Sequence, residues 1–234
     1  MNRITGKHWV ALWLCLMAFV GLRAQNATDS LQHEVLIETT MGRVRVTLYN
    51  DTPKHRDNFL KLVREGYYDG LLFHRVIPGF MIQAGDSASR HAVPEQKLGD
   101  SPEAYTIPAE IRFPERFHKC GALAAAREGD EVNPERASSS TQFYIVNGRM
   151  FDDDQLAAAQ EYLDEQTGGK IKLTPEVKEV YRSYGGAPHL DGLYTVFGEV
   201  IEGLDIVDQI QWVERNADNR PKTDVRIVRA TVVK

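Results

Sequence analysis

The stretch FHRVIPGFMIQAGD, residues 73–86, holds one arginine, Arg75, among two phenylalanines, a proline, a methionine and a glutamine, with no nucleophile and no carboxylate pair beside it. A guanidinium there is a permanent cation with its N–H donors in a fixed fork. It is equally a surface arginine next to core residues, and the stretch alone leaves both readings open. Other candidates are weaker. His74, His118 and His189 are scattered, without the His-Glu-x-x-His or paired-cysteine spacing that holds a metal, so each reads as a structural or surface histidine and no metal site is expected. The serines at 138–140 lack the elbow of a strained nucleophile and read as polar loop. Asp152, Asp153 and Asp154 lack the glycine and distal glutamate of a calcium loop and read as a charged helix start. Phosphate-cradling glycine loops are absent from the sequence.

The elements that must hold Arg75 are mostly strands. In EVLIETTMGRVRVTLY, Val44, Val46 and Leu48 alternate with Arg43, Arg45 and Thr47, the period of a half-buried strand, and Met41-Gly42 marks a turn. Further strands are expected at 72–76, 121–126, 142–146, 194–200 and 224–233. Many short strands argue for a barrel or a sandwich. A helix is expected in TPKHRDNFLKLVREG, with Thr52 as N-cap, Pro53 in the first turn, an apolar stripe of Phe59, Leu62 and Val63, and Gly66 as stop. EGLDIVDQIQWV is a second, shorter one. Neither alternates with strands in βαβ order, so both read as plugs for the ends of a barrel.

Between residues 147 and 188 the pattern turns helical. FDDDQLAAAQEYLDEQTGG and LTPEVKEVYRSYGG each carry a capping start and a Gly-Gly stop, and Val177, Val180, Tyr181 and Tyr184 recur at helical spacing. This reads as a helical hairpin inserted in a β protein, its apolar faces turned to each other and to the barrel wall.

The chain has 234 residues, 42% hydrophobic and 26% charged, which suits one globular domain with an insert. A net charge of -5 without basic blocks argues against a nucleic-acid partner. Arg3 and Lys7 precede an apolar run at 9–22 and then GLRAQNA, the order of a secretory signal peptide, so residues 1–25 are expected to be cleaved. The run is short for a membrane span, and Trp13 and Leu14 before Cys15 argue against a lipid anchor. An exported, periplasmic protein is expected, with no membrane span in the mature chain. Cys120 is then the remaining cysteine and reads as a small buried hydrophobe.

FHRVIPGFMIQAGD resembles the signature of the cyclophilin family of peptidyl-prolyl isomerases, and the resemblance continues in the family's order through GALAAAR, STQFYIV and LDGLYTVFGEV. It spans residues 35–233 apart from the inserted segment. The resemblance implies a mainly β fold, an eight-stranded antiparallel β-barrel capped by two α-helices, with the barrel domain at 34–234 and the helical insert at 150–187. It makes Arg75 the catalytic arginine. Phe80, Met81, Tyr144 and Leu190 then line a proline pocket with Tyr194 as an aromatic wall, while Gln83, Ala126 and Gln142 hold the substrate backbone. The implied partners are proline-containing polypeptides, the protein a monomer without a cofactor. A peptide-binding chaperone module with little turnover is the alternative.

The implied chemistry needs no bond to be broken. Resonance opposes rotation about a peptide bond by about 18–20 kcal/mol. In the twisted transition state the imide nitrogen regains a lone pair, so a guanidinium donor placed there binds that state better than the planar one. The sequence also departs from well-known eukaryotic members. His189 stands in place of a tryptophan associated with cyclosporin contact, Tyr194 in place of a pocket histidine, Tyr144 in place of a phenylalanine and Arg127 in place of an asparagine.

Overall fold

The computed structural model describes residues 32–234, and the expected signal peptide lies outside them. The sheet begins as a hairpin of β1 (His33–Thr39) and β2 (Gly42–Leu48), paired from His33 opposite Leu48 to Thr39 opposite Gly42. The Thr39 hydroxyl accepts from the Met41 and Gly42 N–H groups and donates to the Gly42 carbonyl, which closes the turn. The strands continue with β3 (Phe73–Ile77), β4 (Met81–Ala84), β6 (Ala122–Ala125), β8 (Phe143–Val146), β9 (Val196–Glu202) and β10 (Ile227–Val232). They form one eight-stranded antiparallel sheet in the order β10-β1-β2-β9-β6-β8-β4-β3. The chain beside its two edge strands is joined by Phe73 N–H to Val225 O at 2.9 Å and Ile227 N–H to Leu71 O at 2.8 Å. The sheet therefore curls back on itself, as the expected barrel requires.

Alternation along each strand decides what lies inside. Val35, Ile37, Val44, Val46, Ile82, Leu123, Ile145 and Phe197 form the inner core, together with Phe59, Leu60, Leu62 and Val63 of α1 (Pro53–Arg64) and Val207 and Ile210 of α4 (Leu204–Gln211). Burying a side chain of this size contributes about 1.5–3 kcal/mol. Both helices pack into the barrel's own core, the role expected of plugs. Thr52 does not cap α1 through its side chain. Instead the Glu110 carboxylate accepts from Lys54 N–H at 3.1 Å and His55 N–H at 3.0 Å, placing a negative charge on the positive end of the helix.

Strand ends also differ from the expected ones. Tyr194 and Thr195 precede β9, and residues 224–226 precede β10; the Thr195 carbonyl accepts from Ala125 N–H, that of Val225 from Phe73 N–H and that of Arg226 from Thr40 N–H. β4 follows the Pro78-Gly79 turn directly, and a two-residue ladder joins β5 (Thr106–Ile107) to β7 (Ser138–Ser139); neither was expected, since runs this short show no period.

The inserted helices lie between β8 and β9. α2 (Asp153–Thr167) opens on a capping box between Asp152 and Gln155 and stops at left-handed Gly168. α3 (Pro175–Ser183) is capped by Thr174. Leu156, Ala159 and Leu163 of α2 meet Val177 and Tyr181 of α3, Leu173 between them, and Leu193, Phe113 and Phe117 of the barrel. Tyr184, at the end of the expected stripe, is exposed. Among the described residues no helix is long and apolar enough to cross a membrane.

Candidate active site

The site lies on the outer face of the barrel wall. Register aligns Arg75 on β3 with Gln83 on β4, Gln83 with Tyr144 on β8, and Tyr144 with Ala124 on β6. Side chains of paired residues point to the same side of a sheet, so this row stands opposite the inner core. The next row is Ile77, Met81 and Val146. Met81, Ala122, Ala124, Tyr144, Val146 and Val196 form a second apolar cluster, with Phe80, Ala126, Leu190 and Tyr194 packed against it. Phe80 ends the turn before β4, Leu190 ends the short 3₁₀ turn Pro188–Leu190, and Tyr194 precedes β9. The apolar residues expected at the site are thus brought together from five separate segments.

A polar chain runs beside this surface. Arg75 Nη1 donates to Gln83 Oε1 at 3.2 Å, Gln83 Nε2 to Gln142 Oε1 at 3.0 Å, and Gln142 Nε2 to the Gly99 carbonyl at 2.9 Å. Among the described residues the Arg75 guanidinium makes no other hydrogen bond and no ion pair. Burial lowers its pKa from the ordinary arginine value and the nearby Tyr194 opposes this; an arginine remains charged across the working pH range. The Ala126 N–H donates to the Gln142 carbonyl and the Ala126 carbonyl accepts from Ser139 N–H. Only the second lone pair of that carbonyl is left for a ligand. A cleft of about 630 Å³ adjoins the site and shares Gln83, Ala126 and Gln142 with it.

Two contributors were not legible as such. Arg127, a departure from the family pattern, places its guanidinium 4.3 Å from the Tyr194 ring centre and donates to the Leu193 carbonyl at 2.9 Å. His118, which reads as an isolated histidine, is buried and bonds both Asp191 and Tyr144. Asp191 follows it by 73 residues, a separation that no local spacing rule covers.

The remaining polar candidates are structural. Ser138 Oγ lies 2.9 Å from His55 Nε2, and His55 Nδ1 lies 2.7 Å from Glu110. This has the order of a nucleophile relay, but Ser138 is 1% exposed and the carboxylate is the cap of α1. Ser139 and Ser140 bond Glu103, fixing the loop that delivers Gln142. Cys120 is half-buried rather than buried, its thiol donating to Asn147 Oδ1 at 3.1 Å, and burial raises its pKa. Among the described residues no group of three or more His, Cys, Asp or Glu side chains is placed to hold a metal ion.

A curled antiparallel sheet with an apolar cluster on its outer wall, edged by Arg75, is the architecture of a cyclophilin-like protein. Residues 34–232 match the family described as cyclophilin type peptidyl-prolyl cis-trans isomerase/CLD. The chain is 32% identical over 201 residues to a peptidyl-prolyl cis-trans isomerase-like 3 of Neurospora crassa, covering 85% of this chain and 95% of that protein. It is 36% identical over 215 residues to a putative bifunctional phosphatase/peptidyl-prolyl cis-trans isomerase of Streptococcus pyogenes, covering 90% of this chain but only 40% of that longer protein. A crystal structure of a cyclophilin type peptidyl-prolyl cis-trans isomerase of Cryptosporidium parvum superposes with a TM-score of 0.60 at 22% identity, covering 87% of this chain and 99% of that one. The chain belongs to the cyclophilin family of peptidyl-prolyl cis-trans isomerases.

Proposed function

We propose that the protein twists Xaa–Pro bonds of exported polypeptides, with Arg75 donating to the imide nitrogen while Phe80, Met81, Tyr144, Leu190 and Tyr194 hold the proline ring. The observation that carries this reading is the uncommitted guanidinium: among the described residues one Nη1–H bonds Gln83 and no carboxylate pairs with the charge. Arg127, by contrast, bonds Leu193, Glu128 and Asp130. Gln83 fixes Arg75 at the edge of the apolar cluster, where low dielectric strengthens a hydrogen bond to a lone pair that exists only in the twisted state. The apolar side chains hold the pyrrolidine ring while the preceding carbonyl rotates about the C–N bond, so the chemistry needs anchoring and one donor to the nitrogen lone pair. The basic, apolar and small-residue order at the N terminus supports export to a periplasm, where a monomer would act on folding chains.

The test is isomerisation of a short Xaa–Pro peptide by the chain from residue 26 onward. Replacing Arg75 with alanine is expected to lower kcat/KM by about 10²-fold, about 2.7 kcal/mol at 1.36 kcal/mol per decade, with an unchanged far-ultraviolet spectrum and Tm. A folded Arg75→Ala protein with near-normal turnover would remove Arg75 from the mechanism.

A further inference from the structure

The apolar cluster of the outer wall carries a hydroxyl, that of Tyr144. Tyr144 is 5% exposed, and a buried O–H without a partner costs about 1–3 kcal/mol. Its partner is His118 Nε2 at 3.0 Å. On the other side of the imidazole, Nδ1 lies 2.9 Å from Asp191 Oδ1, and the same oxygen accepts from the His118 backbone N–H at 2.9 Å. A carboxylate at Nδ1 fixes the proton there and leaves Nε2 as an acceptor, so the Tyr144 phenol is the donor of the pair. Asp191 Oδ2 then accepts from the Tyr181 hydroxyl at 2.6 Å. Tyr181 belongs to α3, in the inserted hairpin.

Every member of this chain is buried: His118 is 1% exposed, Asp191 and Tyr181 0%. A carboxylate withdrawn from water must have its lone pairs satisfied, and the insert supplies the donor to the oxygen that the barrel leaves open. Burial and the Asp191 charge hold the Tyr181 phenol well above its ordinary pKa, so it stays a donor. The rings are ordered as well. His118 lies nearly parallel to Tyr144 at 6.1 Å, and Tyr194 meets both edge-on at 6.4 and 6.2 Å.

The backbone of the insert is pressed into the same wall. Ala187 N–H donates to the His118 carbonyl at 2.8 Å, and Cys120 N–H to the Gly185 carbonyl at 3.0 Å. A Cβ on Gly186 would lie 2.2 Å from the His118 carbonyl oxygen and 2.5 Å from Tyr181 Cε1. Gly185-Gly186 is thus a close-approach site as well as a helix stop.

We propose that the inserted hairpin is a working part of the proline site: Tyr181, through Asp191 and His118, positions Tyr144 so that its hydroxyl is tied to the relay and its ring alone faces the groove. This rests on the reading of Tyr144 as part of the proline pocket. Tyr181, Asp191 and His118 are positioning residues and touch no substrate.

A double-mutant cycle tests it on short-peptide isomerisation with the chain from residue 26 onward. Tyr181→Phe keeps the buried ring and removes the donor; it is expected to lower kcat/KM roughly 3- to 10-fold. In a Tyr144→Phe background, where the groove no longer carries a hydroxyl to orient, Tyr181→Phe should have no further effect on kcat/KM. Equal losses in both backgrounds would mean that Tyr181 acts only through general stability, and no loss in either would overturn the proposal outright. The tautomer of the unaltered protein is a second readout, independent of whether variants fold. Ring ¹⁵N shifts should show His118 protonated at Nδ1 and bare at Nε2, and a neutral ring protonated at Nε2 would overturn the relay. Tyr144→Ala separates the two layers: unchanged peptide turnover would remove Tyr144 from the pocket while the ¹⁵N result still reported on the hydrogen bonds.

Discussion

The guanidinium of Arg127 lies 4.3 Å from the centre of the Tyr194 ring, with Nε donating to the Leu193 carbonyl at 2.9 Å and Nη2 paired with Asp130 at 2.6 Å. A cation over an aromatic face is worth about 0.5–2 kcal/mol, more as it is desolvated, and the Arg127 side chain is 4% exposed. Tyr194 packs on both the groove cluster and the insert cluster. Arg127 therefore braces the one ring the two share.

Replacing Arg127 with asparagine removes the cation from the ring and leaves Asp130 with Arg136 as its ion-pair partner among the described residues. Unfolding by urea is expected to show a loss of about 1–2 kcal/mol. Peptide KM should rise several-fold with a smaller change in kcat, because a loosened wall weakens ground-state and transition-state binding together. An unchanged KM would mean that Tyr194 is held well enough by the neighbouring rings.

Gln83 controls how free Arg75 is. In Gln83→Glu the shape is kept, but the neutral oxygen 3.2 Å from Nη1 becomes a carboxylate oxygen. A charge-assisted pair is shorter and about twice as strong as a neutral hydrogen bond, so the guanidinium is drawn to Glu and its charge is offset. The expected result is a loss of kcat/KM of about 10-fold or more, with a smaller loss of stability because a carboxylate cannot donate to Gln142 Oε1 as the Gln83 amide does. Full activity in this variant would show that the field at the imide nitrogen is insensitive to a neighbouring anion, against the electrostatic role of Arg75.

How much of this was legible depends on the distance over which each interaction runs. The inner core follows from alternation within single strands, as with Val44, Val46 and Leu48. The helices were legible because capping and stop residues lie within a few positions of the apolar stripe, as Asp152, Gln155 and Gly168 do. Thr52 misled because its local signal was right for a cap while Glu110, tens of residues later, does the bonding. The site residues came from motif resemblance. The His118–Asp191–Tyr181 chain could not, since it joins a loop before β6, a turn and an insert that the family's motifs do not include. The only sequence signal was Tyr144 itself, a hydroxyl where a phenylalanine is usual, which implies a buried partner.

His74 stands beside Arg75 in sequence but is turned into the protein, 3% exposed, and neither ring nitrogen has a hydrogen-bond partner among the described residues. Burial lowers its pKa from 6.5 to about 4; Asp86 and Asp100 oppose the shift, and Arg75 and Arg220 add to it. The folded protein therefore holds His74 neutral at a pH where the unfolded chain protonates it. Between pH 6.5 and about 4 the unfolded state binds more protons, so stability is full above this window and falls as pH drops through it. The shift corresponds to about 3 kcal/mol at 1.36 kcal/mol per unit. His55 and His189, also lowered mainly by burial, slope the same way. His74→Phe fills the same site without a titrating group, so the drop in unfolding free energy between about pH 7 and about pH 4.5 should be smaller than in the unaltered protein by about 2 kcal/mol. Urea unfolding at both pH values measures it. Equal drops in the two proteins would mean that the His74 ring is protonated in the folded state with a partner, such as Asp86, that the present geometry does not provide.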